Sequence, residues 1–175
     1  MDMNVQKHLD LLGMKACERV SGITGVITSV AFDAFGCIQA VVGPKANEHG
    51  KIAESRFYDV ARLKVTGKTP VMPVPDFDLK PFDLLCMKVS DIVQGFDGTV
   101  TSICFDLDGR IQAVVMPKAD ADGKVENSRF VDIPRLKVTS KQPITPVPNF
   151  DFGPVAEGKK GAAEKPASPR MPRQG

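Results

Sequence analysis

The chain is written twice. Residues 10–78 align with residues 83–151 at a constant offset of 73, without a gap, and 39 of the 69 paired positions are identical. So close a match requires two copies of one folding unit in tandem. It also supplies a comparison within one chain: residues kept in both copies serve the unit, whereas residues that differ are free or specialised. Each copy has 69 aligned residues, near the lower limit for a self-sufficient core.

Within each copy, apolar residues recur at spacing two in short runs separated by glycine and polar turns, the pattern of small all-β structure. Five strands are expected in copy one, over 15–20, 25–32, 37–42, 56–60 and 63–65, and five more lie 73 residues later. The β-branched stretch from Gly25 to Phe32, with its counterpart from Gly98, predicts a long bent second strand in which the glycines permit the bend. Asp33-Ala34-Phe35-Gly36 and Asp106-Leu107-Asp108-Gly109 have the aspartate opening and glycine ending of a tight hairpin. A polar loop over 44–55 follows, and then a single helical turn before a short last strand.

Five strands, a long bent second one and a turn before the fifth describe an SH3-like barrel of the kind used by KOW and Tudor modules. The expected division is an N-terminal segment over 1–12, a first barrel over 13–66, a proline-rich arm over 67–82, a second barrel over 83–139, a second arm over 140–152 and a basic tail over 153–175. Val5, Leu9 and Leu12 suit one face of a short helix beginning near Asn4.

The arms carry three prolines in six residues, at Pro70, Pro73 and Pro75 and again at Pro143, Pro146 and Pro148, which predicts extended backbone. Their shared apolar residues, Val74 with Phe77 and Val147 with Phe150, call for a surface to lie on. That surface is either the arm's own barrel or a neighbouring subunit. Self-packing is expected for Phe77, whose arm joins the modules, and docking on a neighbour for Phe150, whose arm leads to no third barrel.

Candidate chemistry falls mostly at positions where the copies differ. Cys17, Cys37, Cys86 and Cys104 match Ser90, Arg110, Gly13 and Ala31, so no cysteine is needed by the unit, and no CxxC spacing exists. Free thiols are expected, with no metal and no cofactor. His8 and His49 lack counterparts and read as surface residues. Asp120-Ala121-Asp122-Gly123 matches part of a calcium loop, but Lys118 stands where an acid is needed; a solvated turn is expected. Ser55-Arg56-Phe57 with Asp59 and Arg62, repeated as Ser128-Arg129-Phe130 with Asp132 and Arg135, has no histidine or cysteine to activate the serine. An Asp59–Arg62 pair, and likewise Asp132–Arg135, is expected to fix the last turn. Gln39 and Gln112, in the apolar run Ile-Gln-Ala-Val-Val, suit cross-strand bonding or a recognition face.

Charge separates the tail from the body. Beyond Pro154, Lys159, Lys160, Lys165, Arg170 and Arg173 stand against Glu157 and Glu164, which makes the tail +3 within a chain of +2. The near-neutral remainder is a poor attractor for phosphate. With 6% aromatic residues and no tryptophan, stacking on bases and caging of methyl-ammonium groups are not expected. The tail remains as the one phosphate binder. No apolar run approaches bilayer length, the opening residues lack a signal-peptide core, and no membrane role or export by the general route is expected.

The run Gly22-x-x-Gly25-Val-Ile-Thr-Ser, followed by Gly36-Cys37-Ile38-Gln39, Val42-x-Pro44-Lys45 and Phe57-x-Asp59-x-x-Arg62-Leu63, resembles a small family of proteins encoded by tailed bacteriophages. The resemblance covers both repeats but neither the arms nor the tail, and copy two departs from it at Arg110. It implies phage origin and a small barrel without assigning an activity. A non-enzymatic virion component is the expected reading: a decoration, cement or connector protein that contacts capsid, neck or tail proteins or itself, with the host cytoplasm as its site before assembly. Val74, Phe77, Val147, Phe150, Lys159, Lys160, Arg170 and Arg173 are the candidate contacts, and Gly25, Gly98, Gly36, Gly109, Asp59, Arg62, Asp132 and Arg135 the structural set. The alternative is an intracellular phage protein that binds a host factor or nucleic acid.

Overall fold

A computed structural model describes residues 5–150; the tail lysines and arginines and the residues before Val5 lie outside them. The described chain is predominantly β, with a single α-helix of four residues, α1 (Gln6–Leu9). Repeat one supplies β1 (Lys15–Glu18), β2 (Thr24–Asp33), β3 (Ile38–Pro44), β4 (Arg56–Asp59) and β5 (Leu63–Val65). Repeat two supplies β6 (Lys88–Asp91), β7 (Asp97–Asp106), β8 (Ile111–Pro117), β9 (Arg129–Asp132) and β10 (Leu136–Val138). A 3-10 turn, Val60–Arg62 or Ile133–Arg135, precedes each last strand.

In repeat one, β1 pairs with β2 and β5, β2 with β3, and β3 with β4, all antiparallel; repeat two follows the same scheme. The long second strand breaks register between Ile27 and Ser29, as β7 does between Val100 and Ser102. Such a bulge bends the strand and strengthens its twist. Gly25 and Gly98 work differently from the expected backbone freedom. A Cβ on Gly25 would lie 2.2 Å from the Gly43 carbonyl oxygen, and one on Gly98 2.4 Å from that of Met116. The neighbouring strand crosses where only hydrogen fits. Gly36 and Gly109, with φ of 87° and 91°, do supply the left-handed hairpin corner.

The repeats are not separate sheets. β2 pairs with β7, and one ten-stranded sheet runs through the molecule. In that pairing Ala31 faces Cys104, its own counterpart, so a local twofold axis relates the repeats there. Hydrogen bonds flank the junction symmetrically, Ala34 N to Thr101 O and Leu107 N to Thr28 O, both 2.8 Å. Each ten-residue strand would otherwise leave a long unpaired edge.

A single apolar cluster spans the junction. Phe32 and its counterpart Phe105 meet edge to face at 5.9 Å, and Phe82 lies 5.0 Å from Phe32 and 5.3 Å from Phe105. The segments after β5 and β10 complete it by crossing over: Phe77 reaches Phe105 of repeat two at 5.3 Å, and Phe150 reaches Phe32 of repeat one at 5.2 Å. Phe150 is fully buried and Phe77 partly buried. This corrects both expectations for these rings: the ring contact of Phe77 is with repeat two, and Phe150 is enclosed within its own chain, against Phe32 and Phe82, instead of docking on a neighbour. The reason is geometric: with β2 on β7, each repeat's apolar face opens beside the other's exit segment. His8, expected at the surface, is buried and lies 6.1 Å from Phe32.

Truncating the buried ring by Phe150→Ala removes contacts in the other repeat, and urea unfolding is expected to register a loss of about 3–5 kcal/mol. Gly25→Ala should cost about 1–3 kcal/mol through overpacking against Gly43, with no change of fold. Unaltered midpoints for both variants would contradict this packing.

Candidate functional site

Arg62 and its counterpart Arg135 are occupied, though not as expected. Arg62 Nε donates to Glu18 Oε1 at 2.8 Å, and Arg135 donates to Asp91 through both Nε and Nη2. Both carboxylates are buried. Glu18 also accepts from the backbone N–H groups of Val20 at 3.1 Å and Ser21 at 2.6 Å, and Asp91 from those of Val93 at 2.9 Å and Gln94 at 3.3 Å. The Ser21 bond above all, with Arg62, holds the Glu18 carboxyl down at about 2. Burial opposes ionisation of Asp91, but the Arg135 guanidinium and the turn amides outweigh it and keep its pKa below the ordinary value.

Asp59 therefore does not pair with Arg62. Its Oδ1 caps the 3-10 turn by accepting from Ala61 N at 2.9 Å. In repeat two Pro134 occupies the matching position and has no N–H, and Asp132 instead accepts from Gln112 Nε2 at 2.9 Å. Sequence reading missed the buried acids because glutamate stands in one copy and aspartate in the other. The kept acidic charge was the signal. The calcium-like stretch is a turn in which Asp120 Oδ1 accepts from Asp122 N and Lys124 N, matched by Asn47 in repeat one.

Among the described residues all four cysteines are free. Asp33 beside Cys37 raises its thiol pKa, and burial pushes that of Cys104 to about 12. Neither thiol is activated as a nucleophile. No helix of the described residues is long and apolar enough to cross a membrane.

Among the described residues, two concave surfaces involve positions where the copies diverge. The first, about 500 Å³, opens beside β7 between Ala34, Phe35, Met116, Lys118 and Ile144. The matching place in repeat one is closed by Leu107, which is 8% exposed and packs toward Gly13. Ala34 is too small to do the same. Phe35, from the hairpin of repeat one, with Met116 and Ile144 of repeat two, stands where the matching place has Asp108 of repeat two with Gly43 and Val71 of repeat one, so the groove beside repeat two has an apolar rim; Phe35 is 86% exposed.

The second, about 470 Å³, lies under Phe57 and Phe130 and is lined also by Ser29, Val41, Asp106 and Arg110. These phenylalanines are counterparts, and curling of the sheet brings them together from its outer strands β4 and β9, with ring centroids 6.4 Å apart and planes 15° from parallel. Base stacking is not expected of a chain with so few aromatic residues, yet two part-exposed rings do lie side by side here. Val74 and Val147 are partly buried against the core, and Lys159, Lys160, Arg170 and Arg173 lie outside the described residues.

Compared with protein-family models, curated proteins and solved structures, the chain matches none.

Two measurements test the electrostatics. Arg135→Met strands the buried Asp91 carboxylate and should lower the melting temperature more than Arg110→Met, whose partner Asp108 is exposed. Burial lowers the pKa of His8 to about 4. Because the unfolded chain then binds more protons between its ordinary 6.5 and 4, stability should be complete above pH 6.5 and fall as pH drops through that window. Thermal unfolding of His8→Phe should lose that slope between pH 6.5 and 5; an unchanged slope contradicts the assignment.

Proposed function

We propose that the chain is a non-enzymatic structural protein of a tailed-bacteriophage virion, a decoration, cement or connector component that works through protein–protein contacts. The antiparallel order β5-β1-β2-β3-β4, the long bent second strand and the 3-10 turn before the fifth support reading each repeat as an SH3-like barrel. The segments that cross between repeats are read as proline-rich arms that lock the two barrels together.

The observation that carries the proposal is the first groove. Duplication leaves a closed surface in repeat one and an open, apolar-rimmed one in repeat two. Exposed apolar side chains clustered round a concavity mark contact sites on soluble proteins. The copies diverge there, while Arg62 with Glu18 and Arg135 with Asp91 are engaged in holding turns. The partner is another virion protein or a second copy, the protein resides in the particle after assembly in the host cytoplasm, and phosphate contact is left to the basic tail.

Mass spectrometry of purified particles should find the chain at stoichiometric copy number. Phe35→Ser with Ile144→Ser should leave unfolding unchanged, because both side chains are exposed, and should reduce incorporation severalfold. Absence of the wild-type chain from particles would overturn the reading.

A further inference from the structure

The groove under Phe57 and Phe130 has a chemistry different from the first. Neither repeat makes it alone: Phe57, Val41 and Ser29 come from one, and Phe130, Asp106 and Arg110 from the other. The rings are 43% and 53% exposed and stack nearly parallel beside the groove.

Charge in the groove is uneven because the hairpins differ. In repeat one Asp33 Oδ1 closes the turn by accepting from Phe35 N at 2.8 Å and Cys37 N at 2.9 Å. In repeat two that work has passed to Asp108, which accepts from Arg110 N at 3.1 Å and pairs with the Arg110 guanidinium at 2.8 Å. Asp106, the counterpart of Asp33, is released from the turn. Its half-buried carboxylate receives no hydrogen bond from the described residues; Arg110, the one cation lining the groove, feels its charge but is hydrogen-bonded to Asp108. Two aromatic rings and one carboxylate open to a further hydrogen-bond donor thus line one concavity.

We propose that this groove binds an arginine side chain presented by an extended basic segment of a partner protein. A guanidinium is flat, weakly hydrated and always charged, so it can stack on an aromatic face while donating to a carboxylate. Its charge complements Asp106. A phosphate-bearing ligand is disfavoured at the same place, because Asp106 and Asp108 against the single Arg110 leave the groove net negative.

The test uses the full chain and the fluorescein-labelled peptide Gly-Arg-Gly-Arg-Gly, with a counterpart in which citrulline replaces arginine, followed by fluorescence anisotropy. Citrulline keeps the shape and removes the charge. The arginine peptide should bind at least about tenfold more tightly than the citrulline peptide, about 1.4 kcal/mol. Asp106→Asn and Phe130→Leu should each weaken binding severalfold with the melting temperature unchanged. Equal binding of the two peptides, no binding of the arginine peptide up to millimolar concentration, or indifference to both variants would overturn the proposal. A single-stranded oligonucleotide that competes at the same site would overturn it as well.

Discussion

The antiparallel pairing of β2 with β7 is the contact on which the rest of the molecule depends. Each repeat ends its useful hydrogen bonding with one long strand edge exposed, and a unit of this size has little core with which to tolerate that. Placing the two edges against each other satisfies both. It also sets Ala31 opposite Cys104, which makes the repeats a dimer within one chain. Everything that crosses between them follows from this axis: the Phe32–Phe105 contact, the mirrored hydrogen bonds of Ala34 and Leu107, and the convergence of Phe57 on Phe130.

A dimer made by duplication can do what a symmetric one cannot. Its two halves occupy equivalent positions with different residues, so one half can be closed and the other left open. Leu107 fills its groove and Ala34 does not; Asp33 is tied into a turn and Asp106 is not. Both differences sit in the same hairpin, the one next to the axis, where a single change alters contact with the opposite repeat. The charged residues Glu18, Asp91, Arg62 and Arg135, by contrast, are already accounted for by the turns they hold.

The strands were legible because alternation, glycine and the offset of 73 act locally and twice over: the expected β5 at 63–65 coincides with the observed strand, and the others differ by a few residues at their ends. The pairing of β2 with β7 was not legible. It joins segments 73 residues apart through backbone groups, and nothing in the side chains of 29–33 distinguishes an internal strand from an edge. The burial of Phe150 and His8 depends on that pairing and so was out of reach as well. Asp59 was assigned to Arg62 by proximity in sequence, whereas the ion pair is made by Glu18, 44 residues away. Of the two grooves, the divergent residues were visible in the alignment, but their convergence needed the curl of the sheet.

Native-state hydrogen exchange on Phe105→Ala tests the central claim most directly, because Phe105 belongs to repeat two while its neighbours Phe32 and Phe77 belong to repeat one. If the repeats are one cooperative unit, the slow amides of β1, β2 and β3 should lose as much protection as those of β6, β7 and β8. Loss confined to β6, β7 and β8, with repeat one unchanged, would mean that the repeats are two independent domains in contact and would contradict the account.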